Sequence, residues 1–182
     1  MTGKVIWHVT MSLDGYIAVP DQSMQWAFER ATEPSGEADE VIKSTGAVLA
    51  GRRWWDAVPP DDTGLDGIYG GAWKGPVLVL THRKAKSPDP KRLTFISDSI
   101  REAVSAAQKA ARGKDVVVFG ADVAQQCLRA HLVDEILIHI VPVFLGGGVR
   151  LVADDSVRKT DLETVSVTRS GQITNMRLRV RK

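Results

Sequence analysis

The chain has 182 residues, of which 43% are hydrophobic and 25% are charged, and its formal net charge is +2. This composition predicts a single globular domain over residues 1–182, and it gives no electrostatic reason to expect nucleic acid or an acidic membrane as a partner. Because no stretch approaches the roughly 20 apolar residues of a membrane span and the first residues lack the pattern of a signal peptide, we expect a cytoplasmic protein.

Strands and helices alternate along the first half of the chain. Mostly apolar runs favour strands, and Ser35 before a run of acidic residues marks the start of a helix. The predicted elements are a strand over 4–11, a short extended piece over 16–19, a helix over 34–46 that ends at Gly46, and strands over 47–51 and 75–84. Residues 57–74, which are rich in Pro and Gly, are predicted to form a surface loop.

The second half continues the alternation and ends in a hairpin. The predicted elements are a strand over 92–97, a helix over 98–113 capped by Asp98 or Ser99, a strand over 115–120, a helix over 121–131, a strand over 134–145 and a hairpin over 160–182. This alternation indicates an α/β fold with a mainly parallel sheet, to which the hairpin adds an antiparallel edge. Arg177, Arg179 and Arg181 share one face of the last strand, where they form either a solvated edge or a phosphate-binding face.

The stretch VVVFGADVAQQCL, residues 116–128, contains a strand that turns directly into a helix at Gly120. A glycine at this point has two explanations. It allows a tight turn that a residue with a Cβ disfavours, or it lets an anionic group approach the free N–H groups at the start of the helix.

Three predicted strands end in similar sequences, VLAGRRWW, VLVLTHRK and VVVFGADV. Because the carboxyl ends of parallel strands meet at one edge of a sheet, the basic residues after them are expected to converge. These residues are Arg52, Arg53, His82, Arg83 and Lys84. Arg side chains and the Thr81 hydroxyl suit phosphate oxygens, so a nucleotide with two separated phosphate groups would use all three turns. The alternative is that the glycines only allow tight turns and the basic side chains are solvated, since one glycine is not a dinucleotide-binding fingerprint.

The sequence lacks the residue sets that covalent or metal-dependent catalysis needs. Its single cysteine, Cys127, lies in a helical pattern and is expected to be a buried apolar side chain. The four histidines are scattered at positions 8, 82, 131 and 139, without a Ser-His-Asp, Cys-His or metal-ligand spacing. His8 and His139 lie in predicted strands, where we expect hydrogen-bonded core or pocket-wall groups. No metal site is expected.

Four segments resemble the dihydrofolate reductase-like superfamily: TMSLDGYIA, VLAGRRWWD, VLT, and VFGADVAQQCLRAHLVDEILIHIVPVFLGGGVRL. They are most similar to the reductase domain that ends bifunctional riboflavin-biosynthesis deaminase–reductases, and to its stand-alone relatives. The similarity covers residues 4–152. It implies a central, mostly parallel twisted sheet of about eight strands with an antiparallel C-terminal edge, helices on both faces, and NADPH bound across the strand ends.

The resemblance also implies which residues bind NADPH. Ala18 would lie near the nicotinamide, Arg83 near the adenosine 2′-phosphate, and Gly120 at the pyrophosphate. The cofactor-binding residues implied are Ala18, Gly51, Arg52, Arg53, Trp54, Thr81, His82, Arg83, Phe119, Gly120, Ala121, Asp122 and Val123. On this interpretation, Gly120 reflects the close approach of a cofactor more than the turn alone.

The activity implied is an NADPH-dependent reductase acting on a small heterocyclic or ribosylaminopyrimidine-type substrate, like a 5-amino-6-(5-phosphoribosylamino)uracil reductase. Because the cofactor carries the hydride, the reaction needs no protein nucleophile. Dihydrofolate reductase activity is the alternative, but two features depart from it. True dihydrofolate reductases have a carboxylate five residues after the active-site tryptophan, where this chain has Ala31 after Trp26, and a threonine where this chain has Ile138.

The segments SLDG and PVFLGGG are similar to segments that face the substrate in this family. Asp14 is the candidate catalytic residue, for substrate contact or proton delivery, and the alternative is a turn-forming Asp-Gly pair. The candidate substrate-contacting residues are Trp26, Phe28, Leu145 and Gly146. The two aromatic residues could equally belong to the core, and residues 146–148 are either a substrate-phosphate nest or a flexible connection.

Two further hypotheses concern binding without turnover and self-association. The missing helix carboxylate is compatible with a nucleotide-binding module that does not catalyse a reaction. The apolar strand EILIHIVPVFL, residues 135–145, is long enough to pair across an interface, so a homodimer is expected. A small-molecule substrate and a second copy of the chain are the only partners expected.

Overall fold

The strands and helices occur in the chain order that the sequence predicts. The computed structural model describes residues 2–21, 23–57, 65–83, 85–153 and 158–182. Within these ranges the strands are β1 (Val5–Ser12), β2 (Tyr16–Ala18), β3 (Thr45–Gly51), β4 (Val77–Leu80), β5 (Leu93–Ile96), β6 (Asp115–Phe119), β7 (Glu135–Val141), β8 (Val149–Arg150), β9 (Leu162–Ser170) and β10 (Ile173–Val180). The helices are α1 (Gln25–Phe28), α2 (Gly36–Ser44), α3 (Arg52–Asp56), α4 (Ile100–Ala111) and α5 (Ala121–Arg129), with a short 3-10 segment at Ile68–Gly71. None of these helices is both long and apolar enough to cross a membrane.

Eight of these strands form one sheet in the order β5-β4-β3-β6-β1-β7-β10-β9. The strands from β5 to β7 pair in parallel, and β10 and β9 join antiparallel at one edge. β2 and β8 form a separate two-stranded antiparallel sheet. The predicted α/β class, with a mostly parallel sheet of eight strands and an antiparallel C-terminal edge, is therefore confirmed.

The central strands are buried on both faces because nearly all of their residues are apolar and many are β-branched. Val116–Val118 in β6, for example, are fully buried. One face packs against α4 and α5, where Trp7 is the largest buried side chain and Cys127 is fully buried, as predicted. The other face packs against α2, through Val41, and against residues 65–73. Helices thus cover both faces of the sheet.

Residues 65–73 belong to the core, in contrast to the surface loop that the Pro- and Gly-rich composition predicts. Leu65, Ile68 and Trp73 are all buried, and Trp73 Nε1 donates a 3.0 Å hydrogen bond to the Thr45 carbonyl oxygen. These three apolar side chains cover the sheet beside α2, and the many glycines around them hide this role in the composition. Residues 58–64 of the predicted loop lie outside the described residues.

Local capping groups set some helix ends, and tertiary packing sets others. Ser99 starts α4 with a capping box that includes Glu102, one of the two caps predicted. Gly46, by contrast, does not end α2 as predicted, because it lies inside β3. A Cβ at Gly46 would overlap the Ala111 carbonyl group at the end of α4. Glycine is therefore needed there for the close packing of β3 against α4.

The expectation that β7 pairs across an interface is wrong, and the expected solvated edge holds for Arg179 and Arg181 but not for Arg177, because β7 and β10 are both interior strands. β10 lies between β7 and β9, so Arg177 is not on a solvated edge; it forms ion pairs with Glu135 at 2.9 Å and Glu40 at 3.2 Å. β7 is paired with β1 and β10 and offers no free edge to a second copy of the chain. It also ends at Val141, before Pro142, which has no N–H to donate to a neighbouring strand. Arg179 and Arg181 pair with Glu163 on β9.

Candidate active site

A cleft with a volume of about 1770 Å³ opens at the carboxyl ends of the parallel strands. The residues that follow β3, β4 and β6 line one part of it, and His8 of β1 and His139 of β7 line another. Ala18 of β2 and Phe28 of α1 also face the cleft. The topology thus brings together the three strand ends that the sequence predicts to converge.

The basic side chains after β3 and β4 that line this cleft are Arg52, Arg53, His82 and Arg83. Arg52 Nε donates a 2.6 Å hydrogen bond to Asp56, whereas its buried Nη1 has no hydrogen-bond partner among the described residues. Arg53 and Arg83 are exposed, and neither forms an ion pair with another residue that the structure describes. Guanidinium groups with free donors suit an anionic ligand. Lys84, which is expected to join them, lies outside the described residues.

Thr81 holds the turn after β4. Its side chain is buried, and its Oγ1 accepts a 3.1 Å hydrogen bond from the Arg83 N–H. The Thr81 N–H donates a 2.8 Å hydrogen bond to the Ile96 carbonyl oxygen on β5. The backbone that carries His82 and Arg83 is therefore anchored to the neighbouring strand at the edge of the cleft.

Gly120 connects β6 to α5 with a φ of +86°. Residues with a Cβ rarely adopt this angle, so the backbone conformation alone explains the glycine. A Cβ at this position would meet only Trp54 Cβ, at 3.9 Å, so the space in front of the turn is open. Ala121, Asp122 and Val123 in the first turn of α5 also line the cleft. The turn requires glycine, and it borders a space large enough for a ligand.

Aromatic rings lie beside the basic side chains. The ring centroids of Trp54 and Phe119 are 5.4 Å apart, and Tyr69 meets Phe119 edge to face at 5.6 Å. Tyr69 also stacks on His8, with centroids 5.5 Å apart. Tyr69 is not among the residues predicted from the sequence, because it lies in the segment predicted to be a surface loop. The glycines on either side of it, at 67 and 70, are the only local signal of an unusual conformation.

A line of hydrogen bonds leads from the cleft into the sheet. His8 Nδ1 lies 2.8 Å from the Tyr69 hydroxyl oxygen, and His8 Nε2 lies 2.7 Å from His139 Nε2. His139 Nδ1 lies 2.6 Å from Asn175 Oδ1. Burial, together with the charge of His139, lowers the pKa of His8 to about 3, and burial also lowers the pKa of His139. Both rings are therefore neutral at pH 7, and they are the hydrogen-bonded pocket-wall groups that the sequence predicts.

The two histidines have no further metal-ligating side chains grouped with them in the part of the chain that the structure describes. The described residues contain no group of three or more His, Cys, Asp or Glu side chains placed to hold a metal ion. The two Nε2 atoms, only 2.7 Å apart, share a hydrogen and leave no room for a cation between them.

Asp14 joins the turn after β1 to the loop after β7. Its carboxylate accepts hydrogen bonds from Ser12 Oγ at 2.6 Å and from the N–H groups of Leu145 at 3.1 Å and Gly146 at 2.8 Å. The Ser12 hydrogen bond and the backbone donors outweigh partial desolvation and lower the pKa of Asp14 to about 2. An ionised carboxylate has no proton to give at neutral pH. This geometry therefore favours a turn-forming role for Asp14 over proton delivery.

The four candidate substrate residues occupy different places. Phe28 is 73% exposed and lines the cleft. Trp26 instead packs with Val141 and Ile173 in a small apolar cluster, which matches the core alternative for this tryptophan. Leu145 and Gly146 are not among the residues that line the cleft. Their N–H groups bond to Asp14 and are not free to form a phosphate-binding nest.

The strand-end residues and the turn at Gly120 lie within a segment that matches one protein family. The family model of the RibD C-terminal domain matches residues 3–175, which is nearly the whole chain. The chain belongs to the RibD C-terminal domain family.

Individual relatives of this RibD C-terminal domain are distant in sequence. The uncharacterized protein YwjB of Bacillus subtilis is 25% identical over 152 residues, and the match covers 83% of each protein. A candidate riboflavin biosynthesis protein from Shewanella sp. PV-4 has a structure that superposes with a TM-score of 0.82 at 20% identity, over the whole of both chains.

A third relative is a two-activity protein. The diaminohydroxyphosphoribosylaminopyrimidine deaminase/5-amino-6-(5-phosphoribosylamino)uracil reductase of Thermotoga maritima superposes with a TM-score of 0.68 at 18% identity. The match covers 99% of this RibD C-terminal domain but only 57% of the Thermotoga protein. At these identities the likeness shows the fold, and it agrees with the dihydrofolate reductase-like fold that the sequence motifs imply.

Proposed function

We propose that this protein is an NADPH-dependent reductase that transfers a hydride to a small heterocyclic or ribosylaminopyrimidine-type substrate. Its family supports a pyrimidine reductase-like oxidoreductase, and the Thermotoga relative carries the name of a 5-amino-6-(5-phosphoribosylamino)uracil reductase. The observation that carries the cofactor assignment is the edge of the cleft, where Arg52, Arg53, Arg83 and the start of α5 border one ligand-sized space.

The residues at this edge fit a dinucleotide that carries a 2′-phosphate. The unpaired Nη1 of Arg52 and the first N–H groups of α5, behind the open space at Gly120, suit a pyrophosphate. Arg83, held in place by Thr81, suits the additional phosphate that distinguishes NADPH from NADH. The bound nicotinamide would supply the hydride, which is the difficult part of the chemistry.

The remaining lining residues suit a planar substrate. Phe28 and Tyr69 offer ring faces to the substrate, and the small Ala18 side chain would let the nicotinamide ring approach β2. The task of these residues is to orient the reacting carbon and to exclude water. Dihydrofolate has less support, because no carboxylate stands at Ala31 and the nearby Glu33 accepts a 3.0 Å hydrogen bond from the Gly171 N–H in the β9–β10 turn.

Titration of NADPH fluorescence tests the cofactor assignment. We expect saturable binding with a Kd below millimolar, weakened about ten- to a hundred-fold in Arg52→Ala and Arg83→Ala, because charge-assisted hydrogen bonds contribute about 1.5–3 kcal/mol. Arg83→Ala should weaken NADPH binding more than NADH binding. Arg179→Ala, which changes an exposed arginine of β10 outside the cleft, is the matched control and should leave both affinities unchanged.

The outcomes of these measurements separate the competing functions. Absence of saturable NADPH binding, with both cleft variants equal to the wild type, would reject the cofactor assignment. Oxidation of NADPH with 5-amino-6-(5-phosphoribosylamino)uracil but not with dihydrofolate would support the pyrimidine reductase. Binding without oxidation in the presence of any pyrimidine or pteridine substrate would instead indicate a nucleotide-binding module.

A further inference from the structure

The hydrogen-bond chain behind Tyr69 has only one arrangement of protons when its two histidines are neutral. At its far end, on the exposed edge strand β9, the Thr168 hydroxyl donates to the carboxylate of Glu37, which can only accept. Thr168 Oγ1 must therefore accept the 3.3 Å hydrogen bond from Asn175 Nδ2. This orients the Asn175 amide so that its Oδ1 faces His139, and His139 Nδ1 must carry a hydrogen.

The remaining hydrogens follow from this first assignment. A neutral His139 that is protonated on Nδ1 has an unprotonated Nε2, so His8 Nε2 must donate to it across the 2.7 Å contact. His8 Nδ1 is then unprotonated and accepts the Tyr69 hydrogen at 2.8 Å. In the neutral state every hydrogen in the chain from Tyr69 to Asn175 points away from the cleft.

One added proton reverses the direction of the hydrogen bond between Tyr69 and His8. It resides on His8 Nδ1, which then donates to the Tyr69 oxygen, and the Tyr69 hydrogen is free to turn toward the cleft. The positive charge is shared with His139 through the contact between the two Nε2 atoms.

The backbone of Tyr69 indicates that its position matters. Tyr69 has a φ of 54° and a ψ of 39°, a left-handed conformation that costs a non-glycine residue about 1–2 kcal/mol. Ring contacts with His8 and Phe119 hold it in place. A strained tyrosine that borders the cleft with its hydroxyl on a buried histidine pair is a feature that loop closure alone does not require.

We propose that Tyr69 is the proton donor of the reductase and that His8 resupplies it, while His139 and Asn175 fix the tautomer of His8. This inference rests on the proposed function. As the substrate carbon of a C=N or C=O bond takes up the hydride, the neighbouring heteroatom takes the Tyr69 hydrogen and the Tyr69 O–H bond breaks. The His8 Nδ1–H bond breaks in turn and its hydrogen passes to the Tyr69 oxygen. The imidazolium becomes a neutral imidazole, so one hydride and one proton reduce one double bond.

The electrostatic surroundings of His8 connect the proton supply to ligand binding. The titratable groups that act on the pair are Tyr69 from the 3-10 segment, His139 from β7 and, through His139, Glu37 from α2. Burial keeps His8 neutral in the free protein. Phosphates in the cleft are negative charges, which favour the imidazolium and raise the pKa of His8. Ligand binding thus favours the uptake, from solvent, of the proton that the reduction consumes.

The proton arrangement is testable without any substrate. Long-range ¹H–¹⁵N spectra of the ¹⁵N-histidine-labelled protein at pH 7, assigned with single His→Asn variants, report the tautomer of each ring. We expect Nε2–H for His8 and Nδ1–H for His139, and we expect added NADP⁺ to raise the pKa of His8. An Nδ1–H tautomer for His8 in the neutral protein, or a pKa of His8 that NADP⁺ leaves unchanged, would overturn the proposal.

Turnover of 5-amino-6-(5-phosphoribosylamino)uracil with NADPH tests the donor itself. Tyr69→Phe keeps the ring but loses the hydroxyl, so kcat should fall about 100- to 10,000-fold while the Kd of NADPH stays within about twofold. The kcat of the wild type should decrease as pH rises, and the residual kcat of Tyr69→Phe and of His8→Asn should be nearly independent of pH. His131→Asn, a change to an exposed histidine outside the cleft, is the control and should keep the wild-type profile.

The two sets of measurements distinguish failure of the donor from failure of the reductase. A wild type that turns over and a Tyr69→Phe variant with an equal kcat would overturn the role of Tyr69. A purely structural role would weaken NADPH binding and kcat together and would preserve the pH profile. A wild type that neither binds NADPH nor turns over contradicts the proposed function, and the tautomers of His8 and His139 then decide the proton arrangement on their own.

Discussion

Gly120 has two separate roles, one in the backbone conformation of the turn and one in the shape of the cleft. The positive φ requires glycine whether or not a ligand is present, while the open space in front of the turn admits one. Gly148 illustrates a different demand, since a Cβ there would overlap the Ala18 carbonyl group between β8 and β2. A sequence shows glycine in both places and does not distinguish a turn, a close approach and a packing contact. Only the surroundings of each residue separate them.

Asp14 carries a pH dependence that follows from its hydrogen bonds. Its pKa in the folded protein is lowered to about 2, below the value of about 3.9 in an unfolded chain. The carboxylate therefore stabilises the folded state fully above about pH 4, and this stabilisation is lost as the pH falls toward 2. We expect Asp14→Asn to be less stable than the wild type at pH 7, with a difference in free energy of unfolding that shrinks on acidification.

Urea unfolding of both proteins between pH 7 and pH 3 measures this difference. Asp98→Asn, a change to an exposed aspartate before α4, is the control and should differ little from the wild type at every pH. A difference for Asp14→Asn that stays constant with pH would show that its partners do not bond to the ionised carboxylate.

Among the elements, those with strong local patterns are predictable and those set by tertiary packing are not. The valines of β6, the capping box of α4 and the alternation in β10 each carry a local signal, and the structure has them where the sequence places them. The core role of residues 65–73 depends on three apolar side chains separated by glycines, a pattern with no regular period. β10 is an interior strand because it pairs with a second strand besides β9. No local sequence pattern predicts that second pairing.

The buried ion pair between Arg177 and Glu135 gives β10 a stabilising role that an edge strand would not have. Burial alone would raise the pKa of Glu135, but hydrogen bonds from Lys4 and Arg177 outweigh it and lower the pKa. Arg177→Met keeps the apolar stem and removes the charge. We expect it to reduce the free energy of unfolding by about 1.5–3 kcal/mol at pH 7. Because the lowered pKa of Glu135 stabilises the fold only while the carboxylate is ionised, the loss should diminish below about pH 4.

Chemical denaturation with Arg179→Met as the matched variant checks this expectation. Arg179 lies two residues away on the same strand and pairs with Glu163 at 3.4 Å on the surface, so its loss should cost about 0–1 kcal/mol. Equal losses for the two variants would contradict the assignment of Arg177 to the interior of the sheet.

For the whole molecule, topology explains why part of the candidate site is predictable. The residues after β3, β4 and β6 converge because parallel strands share an edge, and that rule needs only the order of the elements. Tyr69, His8, His139 and Asn175 come from a loop and three strands, and His8 and Asn175 meet His139 across separations of 131 and 36 residues. Their contacts require the strand order β1-β7-β10, which local sequence patterns do not predict.

In the same strand order β7 is an interior strand with no free edge, so the expected homodimer contact must lie elsewhere. In the register of the sheet, Ile138 lies opposite Met176, and Met176 lies opposite Val167 on the edge strand β9, so all three share one face. The helices on this face, α4 and α5, pack mainly on β3, β4 and β6. Val167 is consequently 55% exposed. An apolar row that continues onto an uncovered edge strand is typical of an association surface, so we propose that this row forms a homodimer contact.

Light scattering at about 10–100 µM protein tests this placement. We expect the wild type to have twice the mass of one chain, and Val167→Lys to shift it to the mass of one chain, because a lysine there places a charge in the apolar contact. Thr94→Lys introduces the same charge on β5, the opposite edge of the sheet, and should leave the dimer intact. A monomeric wild type would remove the homodimer. Dissociation of the dimer by Thr94→Lys but not by Val167→Lys would show that the contact is on β5. The cleft and its chemistry would be unaffected, because the residues proposed to bind NADPH and substrate all come from one chain.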